Sequence, residues 1–144
     1  MADAYVDTSA FVKRFLLEAH TEQIEQFIAQ GDYRLVLSSL SLVEIKSVLK
    51  RKQREKSLDA DTAHKIAQQV HVELASKALG LHSVDTRTIE LAGQLVDGLS
   101  SPLGTLDAIH LASAKAAQCA MLVSADKQLV KAAREADLLV LDLS

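Results

Sequence analysis

The chain has 144 residues, 49% of them hydrophobic and 24% charged, with a formal net charge of −3. That length and mix describe one globular domain over residues 1–144, able to bury a core without disulfides, and exclude a disordered or fibrous chain. Aromatics at 3% and the absence of a basic excess argue against base-stacking surfaces and against a nucleic-acid footprint spread over the whole surface, so any phosphate contact must be local.

Ala4–Asp7 is a short apolar run that delivers an aspartate followed by Thr8 and Ser9. Ile24, Phe27 and Ile28 then mark one face of a helix. Arg34–Ser38 (RLVLS) reads as a second strand, and Ile45, Val48 and Leu49 as the apolar face of the next helix. A long helical pattern over Thr62–Leu79 leads to a third strand at Leu81–Val84, and another helix follows over Thr88–Leu99. Pro102, the single proline, lies in the one clear loop, Gly98–Gly104. Ile109, Leu111 and Ala112 place a further helix before strands at Ala120–Ser124 and Leu138–Leu143, with one more helix starting after Asp126. Short, Val- and Leu-rich, unalternating strands separated by helices predict an α/β fold with a mainly parallel sheet covered on both faces. No stretch approaches a membrane span and the N-terminus lacks signal-peptide character, so the expectation is a cytoplasmic protein with no membrane partner. Cys119 stands alone, which rules out a cysteine zinc site or disulfide within one chain.

Four acids carry two readings each. Asp7 and Asp126 both end strands, where either caps the following helix or points into a crevice at the strand ends. Glu44 follows Ser41 by three residues, as in a capping box, and Asp107 sits where a negative charge suits a helix dipole. If the first and fourth strands are neighbours, all four converge on one crevice. Two carboxylates about 5 Å apart repel by roughly 3 kcal/mol at an effective dielectric near 20. Converging acids therefore raise each other's pKa values or recruit a cation, and an all-oxygen set without Cys or paired His suits Mg²⁺ or Mn²⁺. Such ions polarise a phosphoryl oxygen and activate water, the needs of phosphodiester hydrolysis.

Asp7-Thr8-Ser9, Val43-Glu44-Ile45, Leu106-Asp107-Ala108-Ile109-His110-Leu111-Ala112 and Ser124-Ala125-Asp126, in this order and spacing, resemble the PIN-domain family over essentially the whole chain, and within it the compact VapC-like toxins. The resemblance implies a three-layer α/β/α fold with a five-stranded parallel sheet in order 3-2-1-4-5. It implies a metal-dependent endoribonuclease, the toxin of a toxin–antitoxin pair, acting on RNA as a homodimer and inhibited by a small antitoxin. It makes Asp7, Glu44, Asp107 and Asp126 the metal-binding acids, with Mg²⁺ the cofactor and Mn²⁺ its substitute, and Ser9 the hydroxyl beside the metal. Ser124 departs from the Thr that many members carry but keeps a hydroxyl.

Other residues have plainer readings. Asp85-Thr86 looks similar to Asp7-Thr8, yet in the implied order its strand is at a sheet edge, so Asp85 reads as a cap. His110, one turn after Asp107, either reaches the site or is half-buried packing, the reading favoured here, and His64 and His71 lack partners for a zinc site. Lys50, Arg51 and Lys52 open the only dense basic run, which is either a solvated helix end or an RNA-tracking patch. A related nuclease of RNA maturation or DNA processing, and a non-catalytic partner-binding module, stand as alternatives. A glycine-rich phosphate loop is absent, which disfavours nucleotide-dependent chemistry.

Overall fold

All five apolar runs pair into one parallel sheet in the computed structural model, which describes residues 1–144. In chain order the elements are β1 (Ala2–Val6), α1 (Thr8–Phe11), a single 3₁₀ turn (Val12–Arg14), α2 (Thr21–Gln30), β2 (Tyr33–Ser38), α3 (Ser39–Arg54), α4 (Ala60–Ala75), β3 (Gly80–His82), α5 (Thr86–Gly98), α6 (Thr105–Ala116), β4 (Met121–Ser124), α7 (Lys127–Glu135) and β5 (Leu139–Asp142). The strand order is β3-β2-β1-β4-β5 and every pairing is parallel, as the resemblance implies. β1 and β4 are neighbours, with Val6 opposite Val123.

The alternation of side chains along each strand divides the core in two. Ala4 and Val6 of β1 pack with Phe11, Ile24, Leu37 and Ile45 on one side of the sheet. Tyr5, between them, packs with Val36, Leu111, Leu122 and Leu129 on the other. Each strand in the middle of the sheet thus has no polar face, which is why its sequence shows a run rather than an alternation. A third small cluster, Ala92, Ala108 and Ala112, lets α5 and α6 approach closely. Arg14 ties the 3₁₀ turn to α4 with a two-pronged bond to Glu73 (3.0 and 3.1 Å), its guanidinium lying over the rings of Phe11 and Phe15. No helix is long and apolar enough to cross a membrane.

The element boundaries differ from the sequence reading where side chains intervene. β1 begins two residues earlier than expected, because Ala2 pairs with Tyr33 at the sheet's N-terminal edge. β3 stops at His82 rather than Val84, because the Val84 N–H is taken by Ser39 Oγ (2.9 Å) and Asp85 then caps α5 through the Thr88 N–H (2.9 Å). α4 stops at Ala75 rather than Leu79. There Lys77 turns left-handed at φ 64° and the Leu79 N–H closes back on the Glu73 carbonyl at 3.0 Å.

Candidate active site

β1 ends at Val6, and the Asp7 N–H continues the ladder by donating to the Val123 carbonyl at 3.1 Å. This sets Asp7 at the carboxyl edge of the sheet between the ends of β1 and β4, the position where open parallel sheets place their sites. Asp7 is buried, and its carboxylate is held from three directions. Ala10 N–H donates to Oδ1 (3.0 Å), Ser124 Oγ donates to Oδ2 (2.6 Å), and Ser9 Oγ lies within 2.9 Å of both oxygens. Burial pushes its pKa up, and these donors pull against that shift without cancelling it. Asp7 is therefore both the cap of α1 and a carboxylate delivered to the edge.

Asp126, at the end of the loop after β4, caps α7 through Oδ1, which accepts from Gln128 N–H (2.9 Å) and Leu129 N–H (3.1 Å). Its Oδ2 has no hydrogen bond within the protein. Asp107 lies in the first turn of α6, where Gly104 is the N-cap and the Asp107 carboxylate makes no hydrogen bond at all. Burial first, then the negative charges of Asp126 and Asp7, push the Asp107 pKa up to about 6. The shift registers three acids crowded at one edge.

Glu44 is not part of a capping box. α3 starts at Ser39, and it is Ser41 Oγ that accepts from the Ser38 N–H (3.1 Å), so Glu44 sits more than a turn inside the helix. Its Oε1 accepts from Thr8 Oγ1 at 2.7 Å and from His110 Nε2 at 2.5 Å. Burial alone would raise the Glu44 pKa, but the His110 and Thr8 contacts outweigh it and the net shift is downward.

His110 corrects the sequence reading. It is fully inside the protein, and instead of packing passively it bridges two elements, with Nδ1 2.7 Å from the Tyr5 hydroxyl and Nε2 on Glu44. No spacing in the sequence links Tyr5, Glu44 and His110; the one available signal was that Tyr5 and Asp7 share a strand parity and that His110 follows Asp107 by one turn.

An open cleft beside these acids is lined by Thr8, Ser9, Lys13, Glu44, Ser47 and Arg51. Of the basic run, only Arg51 reaches it, two turns after Glu44 on the same helix face; Lys50 and Lys52 do not line it. Lys13, which the sequence reading passed over, is buried with Nζ donating to the Ala19 carbonyl (2.8 Å) and to Glu18 (3.4 Å). Asp85 caps α5 at the far edge of the sheet, as expected.

The donor chemistry fits a hard divalent cation: carboxylate and hydroxyl oxygens only, with crowding that favours added positive charge. No three His, Cys, Asp or Glu groups stand together at metal-binding spacing; Glu44 Oε1 faces His110 and Thr8, and Asp126 Oδ1 faces the start of α7. No buried side-chain nitrogen or oxygen lacks a partner, so the free oxygens of Asp107, Asp126 and Glu44 are open to solvent.

Comparison with known proteins agrees with this architecture. The PIN-domain family model matches residues 4–135. Among solved structures, VapC20 of Mycobacterium tuberculosis, described as a sarcin-ricin loop cleaving toxin, superposes with a TM-score of 0.71 at 16% identity, covering 90% of this chain and 95% of that one. A toxin–antitoxin complex from Klebsiella pneumoniae matches with a TM-score of 0.67 at 15% identity over 99% of this chain and 98% of that one. DNA-bound VapBC from Salmonella typhimurium matches over 100% of both chains with a TM-score of 0.62 at 19% identity. No curated protein matches the chain in sequence. The family match runs from within β1 to the end of α7 and takes in all four acids, and the chain belongs to the PIN-domain family.

Proposed function

We propose that the chain is a Mg²⁺-dependent endoribonuclease, served also by Mn²⁺, and the toxin of a toxin–antitoxin pair. The observation that carries this reading is geometric: Asp7 and Asp126 leave the neighbouring ends of β1 and β4, and Asp107, an acid without a hydrogen-bond partner, lies near enough that their charges add to burial in raising its pKa. A site built for capping alone has no reason to crowd like charges; a site that takes up a cation does. Asp7, Glu44, Asp107 and Asp126 would hold the ion, which would polarise the phosphoryl group under attack and lower the pKa of the attacking water.

The chain's own residues do the rest. Ser9 and Ser124 fix the Asp7 carboxylate so that it cannot rotate away from the edge. Thr8 and His110 fix Glu44. Arg51 supplies positive charge on the cleft rim, which an acidic protein needs in order to draw in RNA. Structural neighbours that are toxins or toxin–antitoxin complexes support a small antitoxin as partner. So does an apolar groove between α3 and α4, lined by Leu42, Ile45, Leu49, Val70 and Leu74, which a partner helix would cover. A cytoplasmic homodimer completes the reading.

Asn preserves the capping by Asp7 and Asp126, and Asn or Gln at Asp107 and Glu44 keeps an oxygen acceptor of the same size, while each substitution removes a charge. Asp7→Asn, Glu44→Gln, Asp107→Asn and Asp126→Asn are each expected to abolish metal-dependent cleavage of RNA. They are also expected to shrink the gain in melting temperature on adding Mn²⁺, because that gain comes from binding to the folded state only. Four folded variants that still cut RNA and still gain stability from Mn²⁺ would refute the site.

A further inference from the structure

A glutamate one and a half turns inside a helix has three rotatable bonds and no reason to hold one orientation at an open cleft. Glu44 nevertheless has one oxygen occupied twice, by Thr8 Oγ1 at 2.7 Å and His110 Nε2 at 2.5 Å, while Oε2 makes no hydrogen bond within the protein. The imidazole that holds it is itself held from behind. His110 Nδ1 lies 2.7 Å from the Tyr5 hydroxyl, which is itself 3.0 Å from Ser38 Oγ, and Ser38 Oγ lies 3.4 Å from Ser41 Oγ. Tyr5, Ser38, Ser41 and His110 are all buried, and Tyr5 is on the central strand, paired on both sides. The chain of contacts therefore ends on the most rigid part of the molecule. It crosses from the sheet through α6 to α3, joining residues 105 and 66 positions apart in sequence.

We propose that His110 is a positioning residue, which clamps Glu44 by Oε1 to the Tyr5 anchor and so reserves Oε2 for the ligand of the cleft. The inference rests on the metal-dependent reading of the site and adds to it the element that sets the fourth acid's orientation. A carboxylate only accepts, so His110 serves Glu44 as a donor through Nε2, and Nδ1 is left to face the phenol. Partners that orient a metal ligand in this way typically account for about 10- to 100-fold in metal affinity.

The geometry separates a donor role from a packing role by two substitutions of similar size. In His110→Gln the side-chain amide extends to the place of Nε2 and keeps a donor toward Glu44. In His110→Asn the amide reaches only the place of Nδ1 and leaves Glu44 Oε1 with Thr8 alone. Titration of the metal-free chain with Mn²⁺ alone, followed by calorimetry, is expected to show about a 10-fold weaker dissociation constant for His110→Asn, with His110→Gln within about threefold of wild type. Tyr5→Phe, which keeps the core filled and removes only the anchor, is expected to weaken Mn²⁺ binding by about two- to fivefold and serves if either His110 variant fails to fold. Equal Mn²⁺ affinity in His110→Asn, His110→Gln and wild type, or an equal loss in both variants, would overturn the clamp while leaving the site intact. Wild-type protein that takes up no Mn²⁺ would overturn the site itself and the clamp with it.

Discussion

The Ser124 hydroxyl donates to Asp7 Oδ2 at 2.6 Å and accepts from the Asp126 N–H at 2.9 Å, so one buried side chain sets both strand-end acids. A hydrogen bond to a charged group contributes about 1.5–3 kcal/mol, and its loss leaves Asp7 short of a donor in a buried place. Ser124→Ala is expected to lower stability by about 2 kcal/mol in urea unfolding and to reduce cleavage strongly. A variant with wild-type stability would show that Ser9 and the Ala10 N–H suffice for Asp7.

The raised Asp107 pKa fixes the sign of a pH effect. Its folded-state value of about 6 lies above the ordinary 3.8, so the folded chain holds the proton more tightly than the unfolded one. Without divalent metal, the Asp107 contribution to stability is full below pH 4 and is lost as pH rises to about 6. Asp107→Asn removes this cost. It is expected to stabilise the metal-free protein at pH 7 by on the order of 1 kcal/mol, after discounting for the solvent reaching this half-buried carboxylate, and to make no difference at pH 3.5. Melting curves of the two proteins at both pH values check it; an equal gain at both would assign the effect to something other than ionisation.

The cleft selects one cation from the basic run. Arg51→Gln is expected to weaken RNA binding and to lower the slope of log affinity against log salt by about 0.7, the share of one phosphate contact on a single strand. Lys50→Gln, away from the cleft, is expected to change neither. The exposed Arg51–Glu55 pair at 3.8 Å contributes little to folding, so stability is a fair control. Equal effects from the two substitutions would return the whole run to general electrostatics.

Asp85 and Asp126 make a matched pair of caps, one at the sheet's edge and one beside Asp7. Asp85→Ala is expected to lower the melting temperature by a few degrees and to leave cleavage untouched. Asp126→Asn is expected to do the reverse, keeping the cap and losing cleavage. Loss of activity in Asp85→Ala at a temperature where it is fully folded would contradict the placement of the site.

The fold was legible because its signals are local or periodic. Short Val- and Leu-rich runs such as Leu35-Val36-Leu37 and Met121-Leu122-Val123, set between longer helical patterns, read as strands covered on both faces, and Asp7 and Asp126 announce themselves by ending such runs. Helix ends were less legible. Four helices close on a left-handed residue that is not glycine, at Lys56, Lys77, Gln118 and Asp137, so the usual stop signal is missing and α4 read four residues too long. The role of His110 was only partly legible, for a different reason. It depends on three segments meeting in space, and a histidine between Ile109 and Leu111 looks the same whether it fills a core or holds a carboxylate.

The order of the strands has a consequence for how the protein is made. The central strand comes from the first six residues, yet its second neighbour is β4, which begins at Met121. A chain still being synthesised can pair β1 with β2 early, and it then carries Asp7 and Glu44 without Asp107 or Asp126. Asp7 and Glu44 wait for Asp107 and Asp126, so a nascent chain lacks half of the proposed site until β4 is in place. Any hydrolytic activity of the proposed site requires that β4 has been made and has paired with β1.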